Sequence, residues 1–205
     1  MVVELVVRLI FSFFFFDDCL FFFRCFQFIN CKFVGTNLRF TSFAKCIFTA
    51  CDLSSVLLDM TSFVSCTFEE SKLSNLDFSQ TQLKECNFSK AVMKNCVLQQ
   101  LRPGSKNERK KFNLTKSVFD SADLSGTIFF LCELKEASFR NANLENVVFE
   151  RCNLKGASFI NANIGGINFT DCKIEDTKLD LDGFVSFGNS KGFVLEQLFT
   201  KTSEG

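Results

Sequence analysis

The sequence is dominated by a large apolar residue at every fifth position. From Phe23 to Leu98, and again after one change of phase from Leu114 to Leu179, every fifth residue is Phe, Leu, Ile or Met. The two series together hold thirty successive large apolar residues. A period of five fits neither the 3.6-residue turn of an α-helix nor the two-residue alternation of a strand.

Each five-residue unit has a second regular place, two residues before the central apolar one. Nine of the eleven cysteines lie there, Ala, Ser and Thr recur there, and the other three places are mostly polar or charged. This pattern indicates a four-sided solenoid of twenty residues per coil, in which the central and the small residue both face inward. Coils would stack through parallel strand pairing about 4.8 Å apart, giving about 7.5 coils and a rod roughly 36 Å long.

Residues twenty positions apart are chemically alike, as stacked coils require. One such column consists of Phe28, Phe48, Phe68 and Phe88, and others in the second half consist of Phe119, Phe139 and Phe159, and of Phe129, Phe149 and Phe169. We therefore predict an all-β protein, a four-sided parallel β-helix. The cysteines also form columns. Their thiols point the same way, with an odd number in each column, and are therefore poorly placed to form disulfides. We interpret them as small buried hydrophobes.

Composition excludes several classes of function. The chain of 205 residues has no His, so His-based acid–base catalysis, Ser–His or Cys–His nucleophiles and His-ligated metals are excluded. There is no CxxC pair and no glycine-rich phosphate loop, so we predict no enzyme activity, no metal and no cofactor. The formal net charge of zero gives no reason to bind nucleic acid or a membrane, and free thiols indicate a reducing, cytoplasmic setting.

The chain divides into five segments. We expect an apolar N-terminal cap segment at 1–20, coils at 21–98, a projecting basic loop at 99–113, coils again at 114–184, and a C-terminal helix and tail at 185–205.

The N-terminal segment is strongly apolar over residues 1–16. A signal peptide is the functional alternative, but Glu4 and Arg8 interrupt the run, and Asp17-Asp18 stands where a cleavage site would be. The longest uncharged stretch, 9–16, is too short to span a bilayer. We interpret residues 1–16 as a cap over the open end of the solenoid.

An insertion separates the two series of repeats. Leu98 and Leu114 are sixteen residues apart where five would suffice, and Pro103-Gly104 marks a turn. Because irregular backbone cannot lie inside stacked coils, the segment should project from the rod. Two interpretations stay open: a tolerated solvated loop, or a contact with acidic side chains of a protein partner. The candidate partner-binding residues are Arg102, Lys106, Arg109, Lys110 and Lys111. Direct contact with nucleic acid has thin support, since Phe112 is the only aromatic residue nearby.

The C-terminal segment predicts a helix over 190–199. Ser190 is a suitable N-cap, Gly183, Gly188 and Gly192 mark turns before it, and apolar residues follow at helical spacing. The candidate dimerisation residues are Phe193, Val194, Leu195, Leu198 and Phe199.

Units such as ADLSG (122–126), ANLEN (142–146) and CNLKG (152–156) resemble the pentapeptide-repeat family over about 21–98 and 112–184. The resemblance implies a right-handed quadrilateral β-helix. Chain length, a central insertion and an apolar C-terminus are similar to the Qnr-type and MfpA-type branch, whose members bind type II topoisomerases and protect them from quinolones. The resemblance to this branch implies DNA gyrase or topoisomerase IV as the partner, no direct nucleic-acid binding, and a homodimer joined through the C-terminus.

The alternative hypothesis is a generic scaffold or adaptor of the same family with another protein partner. Surface charge distinguishes the two. A continuous acidic stripe along the rod would indicate imitation of duplex DNA, as in the topoisomerase-binding branch, whereas evenly mixed charge would indicate a scaffold.

Overall fold

The computed structural model describes residues 21–99 and 112–196, which form a parallel β-solenoid of about seven coils followed by one short helix within those residues. The predicted β-helix is confirmed. The strands are β1 Phe21–Arg24, β2 Gln27–Ile29, β3 Thr41–Ala44, β4 Ile47–Thr49, β5 Ser62–Val64, β6 Gln82–Lys84, β7 Val97–Gln99, β8 Phe112–Asn113, β9 Ile128–Phe130, β10 Cys132–Glu133, β11 Val148–Glu150 and β12 Asn168–Thr170, and the helix is α1 Leu181–Ser190. We number the four sides of the rod from the central residues of the first coil: Phe23, Phe28, Phe33 and Leu38 mark sides 1 to 4.

The strands stack in strict register along each side. Side 1 carries the sheet β1-β3-β5-β6, and side 4 carries the sheet β7-β9-β11-β12, all parallel. Phe23 pairs with Phe43, twenty residues on. Across the insertion Leu98 pairs with Phe129, thirty-one residues on. The insertion therefore adds eleven residues to one coil without shifting the columns.

Main-chain hydrogen bonds join each unit to the next coil. The central Phe33 N–H donates to the carbonyl of Asp52 at 2.7 Å, and the Asp52 N–H donates back to Cys31 at 2.9 Å. A third bond runs from Gly35 N–H to the carbonyl of Ser54 at 3.2 Å. Because the same pattern recurs around the coil, most main-chain polar groups find partners although few units are long enough to count as strands.

The corners of the coil adopt left-handed backbone. The residue two after the central one has a positive φ in nearly every described unit, with values of 51–60° at non-glycine residues that include Phe40, Met60 and Leu131. This conformation costs an ordinary residue about 1–2 kcal/mol. The coil-to-coil hydrogen bonds and the buried core must offset that cost at every corner.

The interior is a stack of aromatic and aliphatic columns. Side 2 holds an unbroken column of parallel Phe rings, with neighbouring centroids 4.9–5.2 Å apart. Its members are Phe28, Phe48, Phe68, Phe88, Phe119, Phe139 and Phe159. Phe88 and Phe119 stack at 5.2 Å across the insertion, so the core is continuous there.

The small inward residues do more than fill space. The Cys66 thiol donates to the carbonyl of Phe43 at 3.4 Å, and Thr61 donates in the same way to Leu38 at 2.7 Å. In each case the acceptor is a central residue of the previous coil. Cys, Ser and Thr therefore recur at this place because they are both small and able to donate a hydrogen bond, which is worth about 1 kcal/mol net. The prediction that nine cysteines point inward is confirmed for burial, with Cys172 only half-buried at the last coil.

The C-terminal helix differs from its prediction. It begins at Leu181, and Ser190, predicted as its N-cap, is its last residue. Asp180 caps it instead, accepting from Gly183 N–H at 2.7 Å. Gly183 and Gly188, predicted to mark turns, lie inside the helix. Of the predicted helix 190–199, residues 191–196 are turn and irregular backbone, and residues 197–199 lie outside the described residues.

We predict that Phe88→Ala destabilises the protein by about 3–5 kcal/mol, because it removes one ring from a continuous buried stack and leaves a cavity. Urea denaturation followed by circular dichroism measures the loss. Met60→Ala is the matched control, since Met60 is 53% exposed and loss of its side chain should cost little. Equal losses for the two variants would contradict the packing described for the core.

Because its thiols are buried, we expect the free energy of unfolding of the protein to fall at alkaline pH. Burial raises the pKa of Cys86 to about 11 and that of Cys96 to about 12. The unfolded chain ionises these thiols above about pH 8.5 while the folded chain does not, so stability should fall as pH rises from there towards 11–12, by about 1.4 kcal/mol per pH unit for each thiol.

The double variant Cys86→Ala with Cys96→Thr tests the cause of this pH dependence. Both replacements already occur in the same columns, at Ala137 and Thr127. Denaturation between pH 7 and pH 10.5 should show a shallower decline for the variant than for the original chain. Parallel declines would exclude these two thiols as the cause.

Candidate protein-interaction surfaces

The basic insertion begins and ends on neighbouring parts of one coil. Its described boundaries are Gln99, at the end of β7 on side 4, and Phe112, at the start of β8 on side 1. All five candidate partner-binding residues, Arg102, Lys106, Arg109, Lys110 and Lys111, lie outside the described residues. What the structure adds is their point of attachment, the corner between sides 4 and 1 near the middle of the rod.

Phe112 belongs to the core. It is buried, and its main-chain N–H donates to the carbonyl of Leu131 at 3.0 Å. It occupies the small inward place of its unit, opposite Cys132 in the next coil. The one aromatic residue beside the basic charges is therefore unavailable for stacking on a base, which weakens a nucleic-acid reading of the insertion.

The C-terminal helix closes the end of the solenoid. The Phe187 ring lies edge-on to Phe169, the last aromatic residue of the core, with centroids 5.7 Å apart. Asp180 anchors the helix to the last coil, because its carboxylate accepts main-chain N–H groups from both Asn161 and Gly183. These hydrogen bonds lower the pKa of Asp180, so the anchor is ionised at neutral pH.

An apolar groove runs along the outer face of this helix. Beyond the helix the chain turns back, held by a hydrogen bond from Phe193 N–H to the carbonyl of Gly188 at 3.0 Å. The groove between the two segments has a volume of about 270 Å³. It is lined by Leu181, Phe184, Val185, Gly188, Asn189, Phe193, Val194 and Leu195.

Five of these groove residues are large, apolar and 61–89% exposed: Leu181, Phe184, Phe193, Val194 and Leu195. Three of them were candidate dimerisation residues from the sequence, while Leu198 and Phe199 lie outside the described residues. Leu181 and Phe184 were missed because the helix was expected to start nine residues later. The signal that could have located them is Asp180, an N-cap residue directly after the last central residue, Leu179.

The sides of the rod carry both signs of charge. Arg39 lies 2.7 Å from Asp59 one coil on, Lys90 lies 3.1 Å from Glu70 one coil back, and Lys94 lies 2.9 Å from Asp123. Side 1 of the second half also carries both signs, through Lys116, Glu133, Lys135, Glu136, Lys155, Lys173, Glu175 and Asp176. Over the described coils, no side presents a continuous acidic stripe.

The described ranges contain neither a metal-binding cluster nor a membrane-spanning helix. Among residues 21–99 and 112–196, no group of three His, Cys, Asp or Glu side chains could hold a metal ion. None of the helical structure described there is long and apolar enough to cross a membrane.

Comparison with known proteins identifies the repeat. One family model, described as pentapeptide repeats in eight copies, matches residues 27–59 and 61–100, and a second, described as a pentapeptide repeat region, matches residues 112–181. A search of curated proteins finds no match.

Solved structures with the same fold include QnrB1, described as a plasmid-mediated fluoroquinolone resistance protein. The full-length form is 20% identical, with a TM-score of 0.63 over 84% of this chain and 90% of that one. A trypsin-treated form with the substitution M102R is 18% identical, with a TM-score of 0.56 over 86% and 92% of the two chains. HetL from the cyanobacterium Nostoc sp. strain PCC 7120 is 16% identical, with a TM-score of 0.44 over 88% and 97%. At these identities the likeness to the two QnrB1 structures shows a shared fold alone.

Proposed function

The chain belongs to the pentapeptide-repeat family, and we propose that it is a non-enzymatic, protein-binding rod that pairs with a second copy through its C-terminal groove. The observation that carries this proposal is the cluster of five exposed apolar side chains around the groove. Exposed apolar clusters of this kind are typical of interaction sites on soluble proteins.

A second copy fits the groove better than an unrelated partner does. The groove lies at the very end of the solenoid, where parallel coils stop and no further coil can stack. Two identical ends meeting about a twofold axis would bury Phe184 and Val194 of each chain against the other. The product is a rod of twice the length, which agrees with the dimer that the Qnr-type resemblance implies.

The second part of the proposal concerns the protein that the dimer binds. Charges of both signs lie along the described sides, which favours a general protein scaffold over imitation of DNA by an acidic surface. Protection of DNA gyrase or topoisomerase IV from quinolones is the second candidate. It is supported by the position of the basic insertion at mid-rod, joined to coils that continue in register. If this chain binds a topoisomerase, the insertion rather than a DNA-like surface is the proposed contact.

We predict that Val194→Asp disrupts the dimer, because it places a charge in the apolar groove. The dissociation constant should rise at least about tenfold, measured by analytical ultracentrifugation. Val194 is 89% exposed, so the substitution should leave the fold of the single chain unchanged. Leu57→Asp, on the side of the rod, is the control and should not alter dimerisation. A wild-type chain that stays monomeric, or a dimer unaffected by Val194→Asp, would refute the C-terminal pairing.

A DNA gyrase supercoiling assay with a fluoroquinolone tests the second candidate. We expect the intact chain to restore supercoiling and a variant lacking 101–111 to fail. This deletion removes eleven residues and so restores the five-residue spacing from Leu98 to Leu114, which preserves the coil. Arg102→Glu with Arg109→Glu is a second test, with Lys45→Glu and Lys84→Glu as a charge-matched control. No rescue and no inhibition by the intact chain would leave the scaffold interpretation and exclude the topoisomerase one.

A further inference from the structure

The first coil of the rod is apolar on its outside as well as its inside. Phe22 on side 1 is 64% exposed, Ile29 on side 2 is 54% exposed and Val34 on side 3 is 53% exposed. Phe40, at the corner after side 4, is 55% exposed. We call these four residues the collar. Between residues 61 and 127, by contrast, no large apolar side chain in the described coils is exposed.

The part of the rod that carries the collar is also its most basic part. Residues 21–51 contain Arg24, Lys32, Arg39 and Lys45 and no acidic residue at all. Within the described residues Arg39 is paired with Asp59 of the next coil, at 2.7 Å. Lys32 also lies beside Asp52 of the next coil. The first coil and a half therefore combine exposed aromatic and aliphatic side chains with four positive charges, two of which have an acidic neighbour one coil on. A surface of this kind fits an occupant that is apolar and carries carboxylates.

The segment directly before β1 has those two properties. Thirteen of residues 1–16 are apolar, and residues 1–20 carry Glu4, Asp17 and Asp18 against Arg8 alone. The segment is joined to the collar at Phe21, so its local concentration there is far above that of any free partner. Fully extended, sixteen residues reach about 55 Å, enough to follow three sides of a coil at about 17 Å each.

We infer that residues 1–16 wrap the outside of the first coil and cover the collar, as well as lying over the open end. A cap placed only over the end would leave Ile29, Val34 and Phe40 in water, on three different sides of the rod. A second copy docked against one side would leave the other sides exposed. An anionic membrane would attract Arg24 and Lys32 but would repel Asp17 and Asp18, which precede β1 in the sequence.

Hydroxyl-radical footprinting tests the inference, because it reports the exposure of individual side chains. The full chain is compared with a variant lacking residues 2–16. Oxidation of Ile29, Val34 and Phe40 should rise severalfold in the deletion variant, while Ile128, exposed on side 4 of the second half, should be unchanged. Buried Phe139 reports whether the variant is folded, since it should stay unlabelled in both proteins. Equal labelling of the collar in both proteins would overturn the inference.

A point variant keeps the inference testable if the deletion does not fold. In the full chain, Ile29→Asp should raise the labelling of Phe13 to Phe16 severalfold, because it places a carboxylate under the apolar segment. Ile128→Asp is the matched control and should leave that labelling unchanged. No difference between the two variants would also overturn the inference.

Two further conditions separate the other occupants. Protection of the collar that disappears on dilution over about a hundredfold range would assign the surface to a second copy instead. Protection that appears only with vesicles of phosphatidylcholine and phosphatidylglycerol would assign it to a membrane. Protection that is independent of both conditions and lost on deletion supports the segment 1–16. None of these readouts depends on the C-terminal groove, so they stand apart from the proposed dimer.

Discussion

The twenty-residue register between coils is the constraint on which the rest of the structure depends. Most central residues donate a main-chain hydrogen bond to the next coil, as Phe33 does to Asp52, and this spacing places like residues above one another. Because the register is fixed by the backbone, the interior can hold only columns, and each column must accept its own kind of side chain along its length. The seven-ring Phe column on side 2 is the clearest result, and it continues through an insertion of eleven residues because the insertion leaves the register intact.

The register also explains what sequence reasoning could and could not predict. A five-residue period is visible directly, so the solenoid, its columns and the buried cysteines followed from it. The hydrogen bonds from Cys66 and Thr61 to the previous coil did not, because they depend on which carbonyls lie within reach of the side chain. The helix was placed nine residues too late for a similar reason. Gly183 and Gly188 disfavour a helix locally, and the helix is stabilised by tertiary contacts, the Asp180 cap and the packing of Phe187 on Phe169, which have no periodic signal.

The same stacking governs the surface. Outward residues one coil apart are neighbours, so a run of like charges along a side would be repulsive, whereas Arg39 beside Asp59 and Lys90 beside Glu70 are attractive. Each exposed pair contributes little to stability. Their effect is on the field around the rod, which is weakened wherever opposite charges alternate. Over the described sides, mixed charge favours the scaffold hypothesis over imitation of duplex DNA, and in our proposal a topoisomerase-binding role depends on the insertion.

Each terminal coil of the rod has one face without a partner coil, and adding further repeats would only move that uncovered face along the rod. At the C-terminal end the solution is local: α1 folds over the last coil, placing Phe187 on the core and leaving Phe184 and Val194 outside. The exposed apolar surface at this end therefore lies in the groove and not on the core itself, and a second copy can cover it there. At the N-terminal end the exposed apolar residues lie on the sides of the coil, beyond the reach of a flat end-to-end contact, so that end is better matched to a segment that wraps than to another rod. The polar middle coils and the differently built ends together favour a dimer with one buried junction and two separately covered tips.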